Sequence, residues 1–217
     1  MSSCPITVSA AGSGIRPPGR PRSSRSDRAI LDAARRLLEA GSLATLTMEA
    51  VAAEAKVAKT TLYRRWRSKE LLALAVLGEM ARDQVPVPDL GDTRAELVHA
   101  VLDTARTMTA TIAGRTIRGL IPALAEDVEL ADEFRRTLVA LRRREMARVV
   151  ERGLVRGDLR PGPHLALVGE LLVGPLFWRL LMTGDPLDER FADTLVESVL
   201  AGLGADHPRA GSADEHS

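Results

Sequence analysis

Residues 47–72, TMEAVAAEAKVAKTTLYRRWRSKELL, read as two short helices joined by a tight turn, then the start of a third. Thr47 is placed to cap the first, because its side-chain oxygen can accept from an orphan backbone N–H one turn in. Met48, Val51, Ala52 and Ala55 recur at helical spacing. Lys56-Val57-Ala58 is the break, and Lys59 to Trp66 forms the second helix, with Leu62 and Trp66 four apart on one face. The other face carries Lys59, Thr60, Thr61, Tyr63 and Arg64, with Arg65 at the edge. Ser68 caps the third helix, where Glu70 suits the positive end of the helix dipole. A short helix held by its apolar side and offering cations and hydroxyls on the other has the dimensions and chemistry of a B-DNA major groove reader. The same pattern also describes an ordinary solvated helix, so the rest of the chain has to discriminate.

Charge does part of that work. The chain has 217 residues and a formal net charge of +1, but the two signs are separated. Through Glu70 there are thirteen cations against six anions, a balance of +7 that leaves −6 for the remainder. All three lysines, Lys56, Lys59 and Lys69, lie in this segment. A positive head on a negative body is what a polyanion-binding protein requires. Aromatics are only 3% of a chain that is 45% hydrophobic, so the core is built from Leu, Val and Ala, which suits packed helices.

These residues resemble the DNA-binding domain of the tetracycline-repressor (TetR) family. The resemblance covers Ala29-Ile30-Leu31-Asp32-Ala33-Ala34 and Gly41, then Thr47, Val51-Ala52, Val57, Thr61-Leu62-Tyr63-Arg64, Trp66 and Ser68-Lys69-Glu70-Leu71-Leu72. Where the family usually reads AGVSKGTLYRHFPSKEAL, this chain reads AKVAKTTLYRRWRSKELL. Lys56 stands in place of the turn Gly, which in a left-handed backbone costs roughly 1 kcal/mol. Ala58 stands where a capping Ser is common, a loss of about 1 kcal/mol. The resemblance implies an all-α protein: an N-terminal three-helix helix-turn-helix domain and a C-terminal helical ligand-binding and dimerisation domain.

Working outward, residues 1–23 read as a disordered basic arm. Its Arg16-Pro-Pro-Gly-Arg20-Pro-Arg22 is either a strap reaching a narrow minor groove through Arg20 and Arg22 or a soluble basic tail. The DNA-binding domain spans 24–84. Its first helix, from about Ser26 to Ala40, carries the stripe Ile30, Ala33, Ala34, Leu37 and Leu38 and stops at Gly41. Val85-Pro-Val-Pro88 and Gly91-Asp92 break the chain. A helical regulatory and dimerisation domain follows over 92–204, and 205–217 read as a disordered tail. Helices are expected over Thr93–Ile112, to about Ala125, from Asp127 or Asp132 to about Gly153, and over His164–Met182 and Leu187–Leu203. The arginines of the third of these, between Arg135 and Arg152, read as a solvated face offset by Glu133, Glu145 and Glu151.

Two helices at the end of the body are unusually apolar. Leu165, Val168, Leu172, Leu176 and Leu180 form one stripe, and Phe191, Leu195 and Val199 another. Both exceed what one small core needs and point to an isologous two-fold contact. They also resemble the C-terminal region of one TetR subgroup, through Gly157-Asp158-Leu159-Arg160-Pro161 and Val173-Gly174-Pro175-Leu176-Phe177-Trp178-Arg179-Leu180-Leu181. That resemblance implies a homodimer closed by a four-helix bundle. A membrane span over Leu165–Met182 is opposed by Glu170, Arg179 and the Gly174-Pro175 break.

No enzyme chemistry is legible. The four histidines are scattered, Cys4 is alone, and no phosphate loop, nucleophile motif or metal-ligand spacing occurs, so no cofactor or metal is expected. A lone cysteine and the lack of a charged, apolar leader suit a cytoplasmic protein. The expectation is a cytoplasmic homodimeric regulator of TetR type, a repressor by preference, binding a palindromic double-stranded operator. Thr60, Thr61 and Arg64 would meet base edges; Lys59, Tyr63, Lys69 and the Thr47 hydroxyl would meet phosphates. Family resemblance adds a pocket for a small apolar effector, with Met108, Ile112, Leu120, Phe134, Leu138 and Trp178 as lining candidates, although plain core packing is the commoner role for each such side chain. The alternatives are a constitutive or architectural DNA binder without effector, and a helical enzyme with a vestigial DNA head.

Overall fold

The computed structural model describes residues 21–83 and 86–204, whose regular structure is all helical, with no strand among them. Ten α-helices follow in order: α1 Pro21–Ala40, α2 Met48–Glu54, α3 Lys59–Tyr63, α4 Lys69–Arg82, α5 Thr93–Ala110, α6 Ile112–Glu126, α7 Val128–Phe134, α8 Ala140–Arg156, α9 Val168–Trp178 and α10 Glu189–Gly204. Wider π-type turns, Arg135–Val139 and Arg179–Thr183, continue α7 into α8 and extend α9, and a 3-10 segment, Pro163–Leu167, leads into α9.

Local chemistry explains the boundaries. Helix α1 begins at Pro21 rather than near Ser26, so the last residues assigned to the arm are helical. A proline tolerates the first helical position because the N–H it lacks would be unpaired there. The helix expected over Thr93–Ile112 is interrupted at Thr111. That residue adopts an extended backbone and caps α6 by accepting from the Gly114 N–H at 3.3 Å. Asp127 caps α7 by accepting from the Leu130 N–H at 3.0 Å, which gives the acidic cluster Glu126-Asp127-Glu129 its role as a helix start. Helix α8 runs to Arg156 and ends at Gly157 with φ 83°, a left-handed cap that glycine adopts without a Cβ clash.

Two apolar cores result. The first joins α1 to α4 through Ile30, Leu38, Val51, Leu62, Leu72 and Leu74, and continues into the body through Ile117 and Leu120 of α6 and Leu130 of α7. The second joins α5, α8, α9 and α10 through Leu97, Val101, Val149, Leu172, Leu176 and Val196. The non-helical segment 86–91 therefore divides the chain but not the packing, since α6 and α7 close the head's core.

The second core is pinned by an ion cluster that periodicity did not reveal. Glu96 of α5 is 0% exposed. It accepts from Arg152 Nε at 3.0 Å and Nη2 at 2.6 Å, pairs with Arg156 at 3.0 Å, and accepts from the Leu90 N–H at 3.2 Å. Asp158 accepts from the Thr93 hydroxyl at 2.8 Å and N–H at 3.1 Å, and pairs with Arg156 at 3.0 Å. The Thr93 hydroxyl, followed by the Arg156 guanidinium, holds the Asp158 carboxyl below the usual carboxylate range. The arginines of α8 are thus not one solvated face. Arg136 pairs with Glu133 on exposed surface as expected, whereas Arg142, which donates to the Ala100 carbonyl, and Arg152 and Arg156 turn inward. Glu96→Gln keeps the shape but leaves the Arg152 guanidinium without its counter-charge, while Arg156 keeps Asp158 and Asp89. It is expected to lower the unfolding free energy by about 3 kcal/mol, the low end for a broken buried pair because both arginines still reach water. Urea denaturation at unchanged slope checks this; a loss under ~0.5 kcal/mol, the size of an ordinary surface change, would deny the cluster its structural role.

Candidate nucleic-acid interface and the neighbouring cavity

Helix α3 is fixed by one buried side chain, Leu62, at 0% exposure. Val57 before it and Trp66 after it pack partly buried on the same core. Backbone bonds from Arg64 N–H to Thr60 and from Trp66 N–H to Leu62 carry the helical geometry one turn beyond Tyr63. With Leu62 inward, Lys59, Thr60, Tyr63 and Arg64 are exposed and Thr61 is half-buried at the edge. Tyr63 is 46% exposed, a large ring displayed to solvent beside two hydroxyls and two cations.

The departures from the family's turn are visible in the backbone. Lys56 has φ 55°, and it is the one non-glycine among the described residues with a positive φ. Ala58 occupies the cap position of α3 and makes no side-chain cap bond. Thr47 caps α2 by accepting from the Ala50 N–H at 3.1 Å, which leaves its exposed O–H able to donate outward. Glu49 pairs with Lys59 at 3.1 Å, and the Lys59 ammonium holds the Glu49 carboxyl below the usual range. Arg65 faces inward and pairs with Asp27 of α1. Arg64 is exposed and has no ion-pair partner among the described residues.

Lys69 differs from the expectation that it meets phosphate. Its ammonium donates to the Leu43 carbonyl at 3.0 Å and the Ala44 carbonyl at 3.4 Å, tying the α1–α2 loop to the start of α4. Arg20 lies outside the described residues. The Arg22 backbone belongs to α1, and its side chain too lies outside them.

A cavity of about 1210 Å³ lies between α4 and α8, at the seam of the two cores. Of the expected lining residues, Met108, Phe134 and Leu138 reach it. The other three do not. Leu120 is fully buried in the first core, Ile112 packs beside that core, and Trp178 is 61% exposed on the outside of α9. Periodicity missed Leu77 and Met80 of α4, because nothing in the sequence says that a head helix also forms a body wall.

The stripe expected to face a second copy also needs correction. Val168, Leu172 and Leu176 are buried in the second core, as is Val199 of α10. Leu165, Phe191 and Leu195 pack half-buried against it, and Leu180 is half-buried. The face left open on α9 is instead Leu167, Leu171, Trp178, Leu181 and Met182. This helix is apolar nearly all round, so spacing alone could not choose which side meets its own core. His164–Thr183 is long and apolar enough to cross a bilayer by length and composition. It nonetheless carries Glu170, paired with Arg143 at 2.8 Å, and Arg179, whose guanidinium lies 4.0 Å from the Phe191 ring centroid.

Comparison with known proteins places this arrangement. The profile described as "Bacterial regulatory proteins, tetR family" matches residues 30–76, and "Tetracyclin repressor-like, C-terminal domain" matches residues 87–199. The chain belongs to the TetR family of transcription regulators. A Bacillus subtilis (strain 168) protein named "Uncharacterized HTH-type transcriptional regulator YdeS" is 34% identical over 86% of this chain and 94% of its own length. A Mycobacteroides abscessus protein named "DNA-binding transcriptional repressor TetR" is 30% identical over 84% of this chain and 95% of its own. The crystal structure of the "TetR family transcription regulator SCO0332" superimposes with a TM-score of 0.72 at 34% identity, covering 82% of this chain and 98% of that one. As a TetR-family regulator, the protein binds DNA through the helix-turn-helix of α2 and α3.

Two substitutions test the strain in its turn. Lys56→Gly relieves the left-handed backbone but adds freedom to the unfolded chain, for a net gain of about 0.5–1 kcal/mol. Ala58→Ser supplies the missing cap and adds about 1 kcal/mol. Both gains should appear as higher denaturation midpoints; no gain from either would mean the turn is not under the stated strain.

Proposed function

We propose that the protein is a homodimeric repressor that holds a near-palindromic operator and is released from it by a small molecule bound between α4 and α8. The observation that carries this reading is the exposed Lys59–Arg64 face on a helix locked by Leu62. Thr60, Thr61 and Arg64 would read base edges. Lys59, Tyr63 and the Thr47 hydroxyl would hold phosphates, with Lys59 exchanging Glu49 for a phosphate. The repressor sense draws support from the name of the Mycobacteroides abscessus relative. A cytoplasmic location suits such a function.

The second copy is expected on the open face of α9. Five large apolar side chains displayed together, with Trp178 at 61% and Met182 at 68% exposure, make an interaction surface rather than scattered exposure. An isologous contact covers it and sets the two heads to read successive half-sites.

Release has a physical route. Arg67, at the threshold of α4, pairs with Asp127 at 3.9 Å and with Glu129, both on the α7 start. Further along, Gly78 of α4 sits so close to the π-type turn that a Cβ there would lie 2.7 Å from Thr137 Cγ2. Leu77 and Met80 on the same helix face the cavity. A ligand that prefers a wider cavity displaces α4, and the head moves with it; the equilibrium shifts by the difference in affinity for the two spacings. A cavity of this size favours the effector-controlled reading over a constitutive binder.

Selection of bound fragments from random DNA is expected to return an inverted repeat. Arg64→Ala should weaken binding to it by about 1–3 kcal/mol and relax choice at one position of each half-site. Recovery of no repeat, or a uniform loss across all sequences, counts against base reading by α3. Separately, Leu171→Glu combined with Trp178→Glu should yield a folded monomer by light scattering. Its operator affinity should fall by about 10²- to 10⁴-fold as avidity is lost. A variant that stays dimeric would move the interface elsewhere.

A further inference from the structure

The cavity between α4 and α8 is apolar over most of its wall, yet its ionisable groups are out of balance. Six reach it: Asp103 of α5, Arg142, Arg143, Glu145 and Glu151 of α8, and Glu170 of α9. Both guanidiniums are already engaged. Arg142 donates to the Ala100 carbonyl at 3.0 Å and lies 3.4 Å from Glu145, and Arg143 bonds Glu170 at 2.8 Å. Asp103 and Glu151 remain with no cation paired to them among the described residues. Glu151 is exposed, whereas Asp103 is half-buried. Thr107, one turn along α5 on the same face as Asp103, also lines the cavity, and its hydroxyl has no protein partner among the described residues.

A carboxylate in a low-dielectric wall attracts a cation more strongly than it would in open water. An anionic ligand would meet two uncompensated carboxylates and find neither guanidinium free. The remaining wall constrains the rest of the ligand. Phe134 and Phe177 are the only rings among its described lining residues, too few to cage a compact quaternary cation. On α8 the lining extends from Leu141 to Val155, which corresponds to a rise of about 21 Å.

We propose that the effector is an alkylammonium: a protonated primary amine whose N–H groups donate to the Asp103 carboxylate and the Thr107 hydroxyl, on an extended aliphatic body lying along α8. This rests on the reading of the cavity as the effector site and adds the sign of the head group. Asp103 sets specificity by charge, and the Leu and Met walls supply most of the affinity through burial of the chain.

Three probes of equal chain length separate the two ideas: decylamine, decanol and decanoate, each titrated into the full-length dimer by calorimetry below its aggregation concentration. Decylamine should bind at least about tenfold tighter than decanol, or ~1.4 kcal/mol, and decanoate more weakly than either. Decylamine should also free the operator in a gel-shift assay. Asp103→Asn should bring decylamine down to the affinity of decanol and leave decanol unchanged. Decanoate binding as tightly as decylamine, or decylamine binding Asp103→Asn as tightly as wild type, overturns the alkylammonium proposal while leaving the cavity an effector site. Failure of all three probes to bind wild type overturns both. The wild-type comparison stands even if the variant folds poorly.

Discussion

The DNA-facing surface depends on Leu62, because a five-residue helix has too few contacts of its own to fix its rotation. Isolated, such a helix would not form at all. Its orientation comes from one fully buried leucine, aided by Val57 and Trp66 on the same core. Rotating that helix by one residue position, about 100°, would turn Thr61 or Tyr63 toward the head's own core in place of Leu62. The polar face therefore exists as a face only because the apolar side chain has one place to go. The same logic makes the turn tolerable. Lys56 holds a left-handed φ and Ala58 leaves the helix uncapped, yet the burial of Leu62 outweighs both, since full burial of a leucine stabilises by about 1.5–3 kcal/mol.

Helix α4 extends that constraint into the body. Its N-terminal half completes the head through Leu72 and Leu74, and Lys69 ties the α1–α2 loop to it. Its C-terminal half forms a wall of the cavity. One rigid rod thus belongs to both units, and a displacement at either end is felt at the other. The contacts around it differ in kind. Arg67 meets Asp127 and Glu129 on exposed surface, where ion pairs contribute little and rearrange easily. Gly78 faces Thr137 where an added Cβ would clash, so this position takes no side chain.

How much of this was legible depended on whether an element had one apolar side or several. Helix α1 did: Ile30, Ala33, Ala34 and Leu38 are buried as their spacing required. The caps Thr47 and Ser68 were readable because their side chains act on their own backbone, within three residues. The helix-turn-helix face was readable for the same reason, one leucine against a polar surround. Helix α9 was not, since an apolar residue stands at almost every position and the core took Val168, Leu172 and Leu176 from the stripe expected to face a partner. The break at Thr111 was missed because Met108 and Ile112 sustain the apolar period across it. The arginines of α8 misled in another way: charge bookkeeping along one helix could balance them locally, but Glu96, which claims Arg152 and Arg156, lies on α5, more than fifty residues earlier in the chain.

That long-range cluster also decides which wall of the cavity is able to move. Glu96 binds α5 to α8 and to the Leu90 backbone, and Arg94 adds ties to Asp193 at 3.0 Å and Glu197 at 2.7 Å on α10. The wall formed by α5 and α8, backed by α10, is therefore held by a buried carboxylate whose guanidinium partners cannot separate from it without exposing uncompensated charge. The opposite wall, α4 with α6 and the end of α7, is held to the cavity side by apolar packing and by exposed pairs. Apolar contacts slide at small cost compared with breaking a buried ion pair, because they lack direction. Any ligand that strains the cavity would then deform the α4 side first, and that is the side attached to the helix bearing Arg64.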